Sequence, residues 1–310
     1  GGPQFGAQVA GIANLNGSSF EGAQVSGVLN VTEGPFYGFQ GSGFGNVVIG
    51  KIDGAQVAGF ANYAGDSSDL VQVSPVANYV ARNSRGVQVS PVINFADEDF
   101  RGSQVSLLCN YAEDGFIGSQ TGLFNVANEM TGTQFGFMNF SDSISGVPFG
   151  FFSFSRKGLH QLEISANELT YLNLAFKSGT NQFYNSFIGG ARFGDGVSPT
   201  WALGYGVGTS VRGGGRNRIF FDLQAANHFR ENQFDLALNT KLTISYQFRL
   251  ADKIGLAIGP SANLFTVDLG GNHNSNYFQS LAPYTLYDHV NGGGVSLQAW
   301  VGGHVALGLF

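Results

Sequence analysis

Cysteine is almost missing from this 310-residue chain, Cys109 being the only one. That excludes an intrachain disulfide and any cysteine-based metal site. Charge is scarce too, at 12% of residues. No basic stripe is available to neutralise phosphates, which argues against nucleic acid as a partner. No apolar run approaches the roughly 18 residues of a membrane-crossing helix. No basic-then-apolar leader precedes the fold, so the Gly1-Gly2-Pro3 start has the look of a processed terminus. The five histidines, His160, His228, His273, His289 and His304, fall in no HExxH or other metal-ligand spacing.

What is abundant is glycine, with 47 residues, and phenylalanine, with 29. Disordered glycine-rich chains lack aromatic and β-branched residues. This chain is rich in both, which points to tight turns and strands in close backbone approach. The charge is unevenly placed. Residues 1–158 carry six Lys and Arg against twelve Asp and Glu, and residues 159–310 carry nine against nine. The acidic excess belongs to the first half alone.

That first half repeats. Glutamine recurs at Gln8, Gln24, Gln40, Gln56, Gln72, Gln88, Gln104 and Gln120, sixteen residues apart. Asparagine follows six residues later, from Asn14 to Asn110, and glycine precedes the glutamine by two except at Leu70. After Gln120 the period contracts to fourteen, through Gln134 and Asn139 to a degenerate copy at Gly146-Val147-Pro148-Phe149. Seven longer and three shorter copies make a repeat domain over residues 1–158. Each copy reads as one strand and a polar turn. The period-two alternation expects Val25, Gly27, Leu29 and Val31 on the core face, with Gln24, Ser26, Val28 and Asn30 opposite. On that pattern Cys109 is a small core residue. So short a period fits a β-solenoid of about 4.8 Å per coil, with the glutamines and asparagines stacked as amide ladders. The competing geometry is one hairpin per repeat in a long antiparallel sheet.

From residue 159 the repeat gives way to longer alternating segments. Trp201, Leu203, Tyr205, Val207, Thr209 and Val211 share one side of a strand. Leu242, Ile244, Tyr246, Phe248 and Leu250 share another, with Lys241, Thr243, Ser245, Gln247 and Arg249 opposite. One apolar side and one polar or small side over about ten residues suits a lipid-facing barrel wall. Eight strands are expected: 160–168, 171–178, 183–193, 201–212, 217–228, 237–250, 253–266 and 293–310. Glu163 and Asp222 also fall on lumen sides, where paired charges are a structural network before they are an ion path. The sequence therefore predicts an all-β protein, an N-terminal β-solenoid-like repeat stack plus a C-terminal eight-stranded up-and-down antiparallel β-barrel. Gly213-Gly214-Gly215-Arg216 and Gly292-Gly293-Gly294 read as barrel turns, since neither has the strand–helix context of a phosphate loop.

With these repeats, and with Glu168 to Lys177 (ELTYLNLAFK), Trp201-Ala202-Leu203-Gly204-Tyr205-Gly206 and Ala282-Pro283-Tyr284-Thr285, the chain resembles surface-repeat outer-membrane proteins of Bacteroidetes-type bacteria. A terminal Phe310 is likewise typical of outer-membrane barrels, although the apolar set Leu309, Leu307, Val305, Val301 and Leu297 lies one residue out of the usual register. The resemblance implies an outer-membrane location and supplies no catalytic residues. An even strand count returns both barrel ends to one side; in the outer-membrane barrels that the chain resembles that side is the periplasm, so the resemblance implies periplasmic repeats.

No enzyme chemistry and no cofactor are expected. The one metal reading concerns the turns: in stacked coils Asp66, Asp69, Asp97, Asp99, Glu113 and Asp114 gather along one edge, where oxygen-rich loops bind calcium. A solvated acidic edge is the plainer reading. The expected partners are the lipid bilayer of the outer membrane and a larger outer-membrane protein assembly that the repeats dock on, cap or plug. The alternative is a surface adhesin or glycan-binding module, with Phe36, Tyr37, Phe100 and Phe116 as stacking platforms. A pore is disfavoured, because side chains fill an eight-stranded barrel.

Overall fold

A computed structural model describes residues 2–194, 198–230, 236–270 and 275–310. The chain divides into two compact units, Gly1–Lys157 and Gly158–Phe310.

In the repeat unit each sixteen-residue copy folds as two strands rather than one, as in Phe20–Ser26 with Leu29–Thr32 and Ser84–Ser90 with Ile93–Ala96. Every strand pairs in parallel with the same strand of the next coil, Gln88 opposite Gln104 and Asn94 opposite Asn110. This is a β-solenoid, and the hairpin alternative is excluded by the parallel pairing. The shorter copies lose their residues at the corners. Cys109–Thr121, Phe124–Phe135 and Met138–Phe149 run on as continuous strands, with a bulge between Ala112 and Gly115.

The faces are the reverse of those expected. Gln24, Ser26 and Asn30 are buried, while Val25 and Gly27 are exposed and Leu29 and Val31 only half-buried; Val28 alone of the four placed opposite the core is exposed, as expected. Cys109 accordingly lies outside the core, partly exposed. The reason is chemical. A stacked amide finds its donor and acceptor one coil away, so it is buried without loss. Gln24 Nε2 donates to Gln8 Oε1 at 2.7 Å, and the row continues to Gln134, which donates to Gln120 at 2.9 Å. The asparagine row runs the other way, Asn14 donating to Asn30 at 2.9 Å and so on to Asn125, which donates to Asn139 at 3.0 Å. Its direction is fixed by the backbone: Asn30 Nδ2 also donates to Gly41 O at 2.9 Å, as only the nitrogen can. Beside the amides a thin apolar core holds Phe20, Phe36, Ile52, Phe100, Phe116 and Met130 in one column, and Val48, Ala64, Val80 and Ala96 in another.

The recurrent glycine is required by the stacking. At Gly102 φ is 142°, and a Cβ there would run into the carbonyl oxygen of Gly86 directly beneath it. Leu70 breaks the column because its strand, Asp69–Val73, starts late. Ser68 replaces the core phenylalanine two residues before, and Leu70 turns inward to fill the space.

The second unit is a closed antiparallel barrel of β1 (Leu159–Ala166), β2 (Leu172–Gly179), β3 (Tyr184–Arg192), β4 (Thr200–Gly214), β5 (Asn217–Arg230), β6 (Ala237–Ala251), β7 (Ile254–Asp268) and β8 (Val295–Leu309). Leu162 of β1 lies opposite Leu309 of β8, which closes the ring. Each strand alternates outward apolar with inward polar or small residues: Trp201, Leu203, Leu242, Ile244, Phe248, Val301, Val305 and Leu307 are exposed. Lys241, Thr243, Ser245, Gln247, His304 and Ala306 are buried. The segment between β7 and β8 contains two elements the pattern did not show, a short helix Ser275–Gln279 and a strand Tyr287–Val290 that pairs with β8. No helix among the described residues is long and apolar enough to cross a membrane.

Candidate functional site

Barrel closure gathers inward side chains from five strands into one buried cluster. Lys177 Nζ of β2 lies 2.8 Å from Glu163 Oε2 of β1 and 3.0 Å from Asp222 Oδ2 of β5. Tyr184 of β3 donates its hydroxyl to Asp222 Oδ1 at 2.8 Å. His304 Nε2 of β8 lies 3.4 Å from Glu163 Oε1. The ammonium also sits 5.0 Å from the Phe220 ring centre. Each charge has partners of opposite sign, which such burial demands.

Above this cluster the lumen narrows to a cavity of about 30 Å³, lined by Gln224, His228, Asn239 and Lys241 among others. That is room for about one or two waters. At the far end Phe265, Phe278, Leu281 and Trp300 form an apolar stopper. The arrangement ties strands of the wall to one another across the lumen.

The two rims differ. Strands β2 and β3, β4 and β5, and β6 and β7 are joined by residues 180–183, 215–216 and 252–253 on the rim where β1 begins and β8 ends. At the other rim the strand ends are farther apart in sequence, by residues 167–171, 193–199, 231–236 and 269–294.

The solenoid edge holds the six acidic candidates, and the structure does not collect them into one site. Asp69 is held by Arg85, Nη2 to Oδ2 at 2.7 Å, one coil away. Asp99 accepts from the backbone N–H of Gly115 at 3.0 Å, and Asp66 from that of Ser67 at 2.7 Å. Asp97 accepts from the Tyr79 hydroxyl at 3.2 Å. Glu113 stacks on Asp97, and the contact with that carboxylate raises its pKa above the ordinary range. Asp114 adds to that in the same direction. Glu98, one residue from Asp97, is bridged by Arg82 at 2.7 Å. No group of three potential metal ligands occurs among the described residues. Of the histidines, His228 and His304 are lumen residues, His289 is exposed, and His273 lies outside the described residues.

Comparison of the chain with protein-family models, curated proteins and solved structures finds no match.

The sugar-stacking residues are corrected: Phe36, Phe100 and Phe116 are core side chains with no exposed face, and only Tyr37 of the four reaches solvent. Two features of the stack escaped the sequence reading. One is the ion ladder, with Asp69 under Arg85 and Arg82 under Glu98. The other is an outward row of stacked rings, Tyr63, Tyr79, Phe95 and Tyr111, with centroids 4.9–5.3 Å apart. Reading charges and rings down the sixteen-residue columns, rather than along the chain, reveals both.

Proposed function

We propose that the chain is a non-catalytic structural and interaction protein of the bacterial outer membrane. In this reading the barrel is an anchor, and the repeat unit is a rigid rod that docks on, caps or plugs a larger outer-membrane protein assembly. The observation that carries it is the pairing of a stoppered barrel, apolar outside, with ten coils that present the same surface over about 48 Å. Long repetitive surfaces suit binding over a broad face. The lumen charges are engaged with one another, as wall-bracing groups are.

The rims support the periplasmic side for the rod. Outer-membrane barrels keep short turns in the periplasm and long loops outside. Here the short-turn rim is also where the chain enters β1. The likeness to surface-repeat proteins of Bacteroidetes-type bacteria agrees with the location.

The test is affinity capture of the full chain from cross-linked native membranes. A larger outer-membrane protein is expected with it, and recovery of this chain alone overturns the reading. Protease treatment of intact cells addresses the side: protection of residues 6–157 is expected, and cleavage there supports the adhesin alternative.

A further inference from the structure

The repeat unit buries its amide rows and exposes apolar side chains along one of its corners. In each of the ten coils the seven or so residues after the ladder glutamine, or after Pro148 in the last copy, hold no charged side chain, from Val9–Leu15 through Val89–Phe95 to Phe149–Phe154. All eighteen charged residues of the repeat half, from Glu21 to Lys157, fall on the opposite edge or beside it. The charge-free corner exposes large apolar groups coil after coil: Ile12, Val28, Phe44, Phe60, Val92 and Leu108 in one column alone. An exposed apolar band of this length is unusual on a water-solvated protein.

The backbone at that corner is closed. Val28 N–H donates to Ile12 O at 2.9 Å, Phe44 to Val28 at 2.9 Å, Phe60 to Phe44 at 2.8 Å, and Leu123 to Leu107 at 3.0 Å. Proline stands there in two coils, Pro75 and Pro91, where one fewer N–H has to be paired. A surface facing hydrocarbon needs both properties, apolar side chains and main-chain groups paired inside the protein. The amides that would be intolerable in lipid are in the core, satisfied by each other.

Resting on the outer-membrane reading above, we infer that the charge-free corner of the solenoid is a lipid-contacting surface. It is immersed in the acyl chains at a bilayer surface, and the charged edge faces headgroups and water. The charge distribution of the coil complements that of the interface: no charge where hydrocarbon lies, and all of it where the medium is polar. In-plane amphipathic helices divide their surfaces in the same way. The edge left in water, with its ion ladder, is then the face offered to a protein partner.

The experiment uses the full chain in phosphatidylcholine–phosphatidylglycerol vesicles, with Cys109→Ser as background. An environment-sensitive fluorophore is attached singly at Val28→Cys, Phe60→Cys or Val92→Cys on the corner. Ser67→Cys and Asn83→Cys report on the charged edge, and Leu242→Cys on the barrel wall. Lipid-borne doxyl groups are expected to quench the corner labels at least about twofold, with iodide nearly without effect, and the edge labels to behave oppositely. Corner labels quenched by iodide overturn the inference. So do corner labels shielded from both quenchers, which would mark a contact with a second copy. The Leu242 label separates the two readings. If it is lipid-quenched while the corner is not, only this inference fails; if it is not, the membrane reading fails first.

Discussion

Gln104 donates its side-chain amide to Gln88 at 2.8 Å, and neither side chain has any solvent-accessible surface. The same bond recurs from coil to coil, so each glutamine is at once the acceptor for one neighbour and the donor to the other. Removing one therefore leaves two incomplete.

Gln88→Leu is expected to strand Gln72 Oε1 and to weaken the hold on Gln104 Nε2, at about 1–3 kcal/mol for each buried group left unpaired. Denaturant unfolding of the detergent-solubilised chain measures it. A midpoint equal to that of the parent chain counts against the ladder as a source of stability.

The ladder stops at Gln134. Pro148 takes the glutamine position in the last copy, leaving Gln134 Oε1 without a donor. The asparagine row has its own terminator, since Asn139 donates to Ser153 Oγ at 3.3 Å. Pro148→Gln is expected to extend the glutamine row by one bond and to raise stability by about 1 kcal/mol, read from the same unfolding curves. A loss of stability would show that proline is needed there for its backbone angle.

In the barrel, Lys177→Met leaves Glu163 and Asp222 as buried carboxylates without their shared cation. Breaking a buried ion network from one side costs about 3–5 kcal/mol. The temperature at which the folded band converts to the unfolded one on a denaturing gel is expected to drop clearly. Adding Glu163→Gln and Asp222→Asn to Lys177→Met is expected to recover part of the loss.

Glu113 carries a pH signature. Its carboxyl is raised above the ordinary value of 4.5 by the neighbouring Asp97. A raised acid favours folding fully at pH below its unfolded value and loses that contribution as pH climbs through the folded one. Glu113→Gln is therefore expected to increase melting temperature at pH 7 and to leave it unchanged near pH 4. Equal effects at both pH values would exclude the Asp97 contact as the cause.

The barrel was legible in the sequence because its rule is local. Leu242, Ile244, Phe248 and Leu250 against Lys241, Thr243, Ser245 and Gln247 show the wall's two solvents within one strand, and the predicted strands lie within a few residues of the observed ones. The lumen cluster was half legible. Glu163 and Asp222 point inward by parity alone, but Lys177 meets Asp222 across 45 residues of chain, and only closure of the ring sets that distance. The solenoid was legible in period and misread in face. The expectation that Val25 and Leu29 would be inside assumes a core assembled from apolar groups. Here Gln24 and Asn30 satisfy each other through their copies, a relation that exists between coils and never within one. The same holds for Asp69 and Arg85, which are distant in sequence and adjacent in the stack.

The opposed directions of the two amide rows have a further effect. Dipoles aligned in series along a stack would add, as peptide dipoles do in a helix, and leave partial charges at its ends. In this rod the glutamine row points one way and the asparagine row the other, so the sums oppose. Each tip of the stack therefore sets the donor end of one row beside the acceptor end of the other.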